Sequence, residues 1–236
     1  ASVAHEINNP VQGVLTFSML LQRMIEGGRI PEGRVEEFQR YLQLITDETA
    51  RVGRIVSDLL SFSRRSRPQS TPVNLNSIIE HTVSLLAHSL ELGNVQLEFE
   101  LDPALPEIPC DKSQIQQVVI NLVMNAAEAM PGGGRVTVGT GMSVERGMVQ
   151  LEVADTGTGI SEEIFSRIFD PFTSTKEEGK GVGLGLAVVY GIVDAHGGVI
   201  DVKTGQGRGT TFTVTLPIGG HGPARESAST VGSAPA

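Results

Sequence analysis

Asp155-Thr156-Gly157-Thr158-Gly159-Ile160, followed downstream by Gly179-Lys180-Gly181-Val182-Gly183-Leu184-Gly185-Leu186, is the stretch on which the reading of this chain turns. Asp155 ends an apolar alternation through Leu151 and Val153, and Gly157 and Gly159 carry no side chain to keep a flat ligand off the backbone. One carboxylate with that clearance suits a ring amino group, which points to a nucleotide base pocket. In the second run Gly181, Gly183 and Gly185 alternate and open onto the apolar helical pattern Ala187 to Val193. Free backbone N–H groups then gather at a helix start, where phosphate binds well. The pair reads as adenine at one end and phosphates at the other.

The familiar phosphate loops do not fit. A P-loop needs Gly-Lys followed by Ser or Thr, whereas Lys180 is followed by Gly181, and Leu186 breaks a G-x-G-x-x-G register counted from Gly181 and Gly183. Either glycine run alone is as readily a plain turn; their order and spacing carry the reading.

The chain has 236 residues, enough for one large or two modest domains, and its 39% hydrophobic content supports a packed core. A net charge of −9 argues against nonspecific binding to nucleic acid or to an anionic membrane, since both would repel it. A small polyanion such as ATP needs only a local positive pocket. The single Cys110 excludes an internal disulfide and a cysteine-built zinc site and suits a reducing compartment. No run approaches the roughly 18 apolar residues of a membrane span, and no signal peptide is visible. The chain is therefore expected in the cytoplasm, free or as the cytoplasmic part of a membrane-bound protein. It begins at Ala1 inside a helical pattern, as a fragment with an upstream part removed would.

From Ala1 to about Ile25, residues Val3, Ile7, Val14, Leu21 and Ile25 fall on one side of a helix, with Val11 at its margin. His5 lies about 200° around from Val3, off that seam, and Asn9 sits one turn further on the same exposed face. Glu6 flanks them, and Pro10 removes a backbone donor just beyond. The run Gly27 to Gly33 turns the chain, after which Phe38, Leu42, Ile45, Thr49, Val52, Val56 and Leu59 form a heptad stripe. A lone hairpin cannot bury so long a stripe, so a homodimeric four-helix bundle is the economical arrangement. Arg64-Arg65-Ser66-Arg67 closes the helix, giving a helical hairpin over 1–67 and a linker over 68–72.

A second domain is expected over 73–220. Its first helix, about Ser77 to Leu90, opens on a Ser77-x-x-Glu80 capping box, and Val95, Leu97, Phe99 and Leu101 alternate as a strand. Asp111 caps a helix with Ile115, Val118, Val119, Leu122 and Ala126 inward, while Asn121, Asn125 and Glu128 line another face. Strands follow at Arg135 to Thr140, Met148 to Asp155, Val199 to Thr204 and Thr210 to Leu216. The fold class is thus α+β: a hairpin forming a dimeric four-helix bundle, then an α/β sandwich with one mixed sheet covered by helices. Residues 221–236 read as a disordered tail.

In this order the motifs resemble the catalytic core of bacterial two-component sensor histidine kinases, over about Ala1 to Ile218. His5-Glu6-Ile7-Asn8-Asn9-Pro10 is similar to the phosphoacceptor box and Asn121 to Glu128 to the asparagine box. Asp155 to Ile160 resembles the first glycine box, Ile168-Phe169-Asp170-Pro171-Phe172 the phenylalanine box, and Gly181 to Leu186 the second glycine box. The ATP module also resembles those of gyrase, heat-shock chaperones and mismatch-repair ATPases, which lack the histidine-bearing hairpin.

The resemblance implies that His5 takes the γ-phosphoryl group of ATP, with Glu6 accepting the imidazole proton, and that Asn125 holds Mg²⁺ through its amide oxygen with Asn121 nearby. It implies that Asp155 bonds the adenine amino group, with Gly157 and Gly159 giving room and Thr210 assisting. Lys176 and the lid residues Gly181, Gly183, Leu184 and Gly185 would cover the phosphates, with Phe169 anchoring the lid. Glu6-Ile7-Asn8-Asn9 is similar to the family's phosphatase motif, which would make Asn9 a water-positioning amide. Partners implied are a second copy of the chain and the receiver domain of a response regulator. A metalloprotease reading of His5-Glu6 fails, because Asn9 stands where the second histidine is needed. Two other classes stay open on the residues alone: an ATPase clamp without a phosphoprotein intermediate, and a scaffold that only binds nucleotide.

Overall fold

The computed structural model describes residues 2–25, 33–63, 70–145, 147–173 and 183–219, excluding the side chains of 2–6, 54 and 57–63. The chain divides into two compact units, one of Ala1–Arg65 with Glu163–Val188, the other of Ser66–Glu162 with Val189–Ala236.

In the first unit, α1 (Ser2–Met24) and α2 (Val35–Ser63) form a hairpin. α1 runs unbroken through Pro10, whose ring is buried. Ile7 packs against the cluster of Ile55 and Leu184, an added Cβ on Gly13 would lie 3.5 Å from Glu48 Cγ, and Phe17 stacks on Tyr41 at 5.9 Å between ring centroids. Tyr41, Glu48 and Ile55 recur every seven residues, so they mark the face of α2 that meets α1. The heptad stripe foreseen from Phe38 to Leu59 lies beside that face. Its members Leu42 and Val56 are 45% and 40% exposed, and Val11, Leu15 and Met19 of α1 are exposed to a similar degree. The hairpin therefore has one face of α2 turned to α1 and, beside it, an apolar stripe whose Phe38, Ile45 and Val52 are half-buried while Leu42 and Val56 are left bare within a single chain.

The second unit holds β1 (Thr71–Val73), α3 (Leu75–Leu92), β2 (Val95–Leu101), β3 (Ile108–Cys110), α4 (Lys112–Glu128), β4 (Gly134–Met142) and β5 (Met148–Asp155). After the short helix α5 (Glu162–Phe165), all but its first residue in the first unit, and α6 (Gly185–Ala195), whose first turn also belongs there, come β6 (Val199–Thr204) and β7 (Thr210–Pro217) of the second unit. The main sheet has the order β2-β4-β5-β7-β6, with β2 and β4 parallel and the other pairs antiparallel. This is the expected mixed sheet. Val136 and Val138 of β4, Val149, Leu151 and Val153 of β5 and Phe212, Val214 and Leu216 of β7 are buried. So are Ile79 and Val83 of α3, Ile115, Val119 and Leu122 of α4 and Val189 and Val193 of α6. Cys110 belongs to this interior, and burial pushes its thiol up to about 11, with the Asp111 charge adding to the shift.

Two local expectations need correcting. α3 starts earlier than the capping box placed it, because Asn74 is the cap and accepts the Ser77 N–H at 3.0 Å. The small sheet of β1 and β3 was not foreseen, since its paired residues include Pro72 opposite Pro109, and proline reads as linker. Asp111 caps α4 as expected, accepting from Ser113 and Gln114. His196 is buried; its Nδ1 donates to the Ile192 carbonyl and its Nε2 accepts the Asp111 N–H at 3.0 Å. That neutral tautomer ties the end of α6 to the cap of α4.

Candidate functional site

Strand alternation sets the site. Along β5 every second residue is buried, which puts Asp155 at the end of the core-facing row of Val149, Leu151 and Val153. Thr210 opens the matching row of β7 ahead of Phe212 and Val214. Asp155 is 9% exposed and its Oδ1 accepts two backbone N–H groups, Gly157 at 2.8 Å and Thr210 at 3.2 Å. Burial raises its carboxyl pKa, and those two N–H bonds pull the other way. Among the described residues none donates to Oδ2, so one oxygen is fixed by the fold and the other is left as an acceptor.

The glycines around this carboxylate are required by the protein itself. A Cβ on Gly157 would stand 2.6 Å from the Ala129 carbonyl oxygen. One on Gly159, at φ +74°, would strike the Gly205 carbonyl, and one on Gly209, at φ +77°, the Asp155 carbonyl. The clearance assigned to Gly157 and Gly159 for a ligand is thus first a clearance for neighbouring backbone. Thr158 N–H bonds the Ala129 carbonyl at 3.2 Å and Gly207 N–H the Thr158 carbonyl at 2.8 Å. The turn is stitched to the end of α4 on one side and to the β6–β7 turn on the other.

That stitching brings the helix amides to the same end of the unit. Asn121 and Asn125 are both half-buried. Asn121 Oδ1 accepts from Gln117 Nε2 at 3.0 Å, whereas the Asn125 amide has no hydrogen bond among the described residues. Asn125 lies one turn before Ala129, whose carbonyl receives Thr158 N–H. Sequence reasoning missed Thr204, whose hydroxyl sits behind Thr210 and accepts from Ile160 N–H at 2.9 Å. The only signal for it was its place as the last strand residue before Gly205-Gln206-Gly207-Arg208-Gly209.

The other unit holds the remaining site residues that are described. Gly183, at φ +66°, accepts the Phe172 N–H at 3.0 Å, and Leu184 is buried in a cluster with Ile55 and Ile7. Gly185 opens α6, whose Val188 N–H reaches back to the Leu184 carbonyl. Phe169 is half-buried, Phe172 is 44% exposed at φ +67°, and the buried member of that box is Ile168. Asn9 is exposed on α1. The side chains of His5 and Glu6, and all of Lys176 and Gly181, lie outside the described residues.

Among the described residues no group of three His, Cys, Asp or Glu could hold a metal ion, and no helix is long and apolar enough to cross a membrane. A half-buried amide oxygen without a partner among the described residues, on Asn125, is a hard donor of the kind Mg²⁺ takes beside phosphate oxygens and water.

Comparison with known proteins covers both units. Residues 1–68 match the His Kinase A (phospho-acceptor) domain, and residues 110–220 the histidine kinase-, DNA gyrase B- and HSP90-like ATPase family. The sensor histidine kinase ZraS of Escherichia coli (strain K12) is 36% identical over 92% of this chain and 44% of its own length. The chain spans less than half the length of such relatives, from 28% of sporulation kinase E of Bacillus subtilis (strain 168) to 46% of ZraS of Klebsiella oxytoca. Full-length ShkA in complex with AMPPNP is similar at a TM-score of 0.67 and 25% identity, over 92% of this chain and 45% of that one. Histidine kinase ThkA, in complex with response regulator protein TrrA, is similar at a TM-score of 0.69 and 30% identity, over 92% of this chain and 60% of that one.

Proposed function

The chain belongs to the histidine kinase family, and from that premise we propose that it phosphorylates its own His5 from Mg-ATP and passes the group to a response-regulator aspartate. One observation carries the reading. A buried carboxylate, Asp155, has one oxygen held by two backbone N–H groups and the other free, in a chain whose first helix bears His5. A fixed acceptor of this kind suits a ring amino group, and the half-buried Asn125 amide suits the metal of a nucleotide.

In the proposed reaction a His5 ring nitrogen attacks the γ-phosphorus, the bond to the ADP oxygen breaks, and ADP leaves. Glu6 accepts the proton that the imidazole loses. Asp155 and Thr210 hold the base, with Gly157 and Gly159 setting the turn, and Asn121 and Asn125 face the phosphates and their Mg²⁺. That ion, when bound, neutralises charge on the transferring oxygens. Lys176, Gly181, Gly183, Leu184 and Gly185 cover the phosphates, with Phe169 behind them. The phosphoryl group then moves from the imidazole nitrogen to a receiver-domain carboxylate. The bare stripe of Val11, Leu15, Met19, Leu42 and Val56 supports a homodimer through the hairpin.

Incubation with γ-labelled Mg-ATP tests the assignment. An acid-labile label should appear on the chain and be abolished by His5→Gln with ATP affinity nearly unchanged; label on His5→Gln refutes it. The exposure of Asn9 on α1 favours a second activity at the same surface, hydrolysis of the regulator's aspartyl phosphate by a water that Asn9 orients. Asn9→Ala should slow that hydrolysis at least tenfold, the scale of one lost positioning contact, while His5 labelling persists. Equal hydrolysis rates would remove Asn9 from the reaction.

A further inference from the structure

Thr204 ends β6 with a hydroxyl that meets three groups. It accepts the Ile160 N–H at 2.9 Å, it reaches the Gly209 carbonyl at 3.1 Å, and it lies 3.1 Å from the Thr210 hydroxyl. A hydroxyl has one proton to give. A carbonyl oxygen can only accept and a backbone N–H can only donate, and the other donor to the Gly209 carbonyl among the described residues, the Gly205 N–H, is long at 3.4 Å, so we assign the Thr204 proton to Gly209. The remaining bond, between the two hydroxyls, then has a fixed direction: Thr210 donates and Thr204 accepts.

This determines what Thr210 shows to a ligand. Its proton is committed to Thr204, it is only 4% exposed, and its oxygen presents lone pairs. Beside it, Asp155 Oδ1 is occupied by the N–H groups of Gly157 and Thr210, so Oδ2 is also a pure acceptor. Two acceptors side by side, with no free donor between them, satisfy an amino group. An oxo group in the same place would set its lone pairs against theirs, with no proton available to relieve the contact.

We propose that Thr204 is a positioning residue that makes this pocket selective for a 6-amino purine over a 6-oxo purine by fixing the direction of the Thr210 hydroxyl. The proposal rests on the reading of ATP at Asp155. Thr204 acts through its neighbour and touches no ligand. Without the relay the Thr210 proton is free to turn outward and donate to an oxo group.

The test uses the whole chain with Mg-ATP and Mg-ITP, which differ in the six-position group and the proton on the adjoining ring nitrogen, each titrated calorimetrically. Wild type should prefer ATP by more than tenfold. Thr204→Val should narrow that ratio by about tenfold, chiefly through tighter ITP binding, and Thr204→Ser should restore it. A merely structural role would weaken both nucleotides together and leave the ratio alone, and that outcome overturns the relay. Thr204→Ala, which likewise lacks the hydroxyl and has less bulk, stands in if Thr204→Val does not fold. Equal wild-type affinities for ATP and ITP also overturn it. A wild type that binds neither nucleotide defeats instead the assignment of ATP to the pocket.

Discussion

Replacing Asp155 by asparagine separates what the carboxylate does for the ligand from what it costs the fold. An amide has one acceptor and one donor end, whereas the role proposed for Asp155 uses both oxygens as acceptors, Oδ1 toward Gly157 and Thr210 as observed and Oδ2 toward the ligand as proposed. In Asp155→Asn, whichever way the amide is turned, its NH₂ faces donors: the two backbone N–H groups in one orientation, the ring amino group in the other. The loss is one hydrogen bond to an ionised acceptor, about 1.5–3 kcal/mol, plus an unmatched donor at about 1–3 kcal/mol. Together these predict ATP affinity lower by roughly 10²–10⁴-fold, measured by calorimetry. The nucleotide-free protein should respond oppositely. Burial holds the carboxyl pKa above its ordinary value, so the cost of the buried charge is absent below the ordinary carboxylate range and is incurred as pH rises through the raised pKa. Urea unfolding of Asp155→Asn should show a gain in stability near neutral pH that shrinks on acidification. Affinity within threefold of wild type would refute the base-reading role of Asp155, and a gain that grows toward acid would refute the account of its burial.

Two further tests follow from the geometry. Gly207 and Gly209 share a positive φ, but a Cβ has open space on Gly207 and strikes the Asp155 carbonyl on Gly209. Gly207→Ala should cost about 1 kcal/mol and Gly209→Ala about 2–4 kcal/mol in urea unfolding; equal costs would mean that backbone conformation alone matters there. Leu42, half-exposed on the bare stripe, should be needed for association, so Leu42→Glu should give a monomer of unchanged helicity by sedimentation and circular dichroism. A wild-type chain that is monomeric at all concentrations would contradict the dimer.

The elements with strong periodicity were legible in the chain, and β5 is the clearest case. Its alternation ends on Asp155, so the same pattern that identifies the strand also aims the carboxylate into the buried layer. α4 was legible for a related reason, since its apolar and amide residues recur on separate faces and Asp111 precedes them. What escaped depended on partners distant in sequence. Nothing in Thr71-Pro72-Val73 announces a strand until Ile108-Pro109-Cys110 lies opposite. Nothing in Thr204 announces a role until the turns carrying Ile160, Gly209 and Thr210 close around its hydroxyl. The hairpin shows a third kind of limit. The heptad through Leu42 and Val56 was visible, but which of two apolar faces serves the neighbouring helix depends on the rotation of α2, and that rotation is fixed by Gly13 and Phe17 on α1.

The pairing of Asp155 with Thr210 joins residues 55 positions apart, and it exists only once β7 has entered the sheet between β5 and β6. During synthesis the pocket therefore cannot form from the first strands alone; it waits on β7, the last strand among the described residues, to emerge. Until then the chain holds an open loop whose closure is an entropic debt. A nucleotide that bridges the two sides favours the closed form by mass action, about 2.7 kcal/mol at a hundredfold excess over its Kd. The fuel of the reaction would then also help its own binding domain to mature.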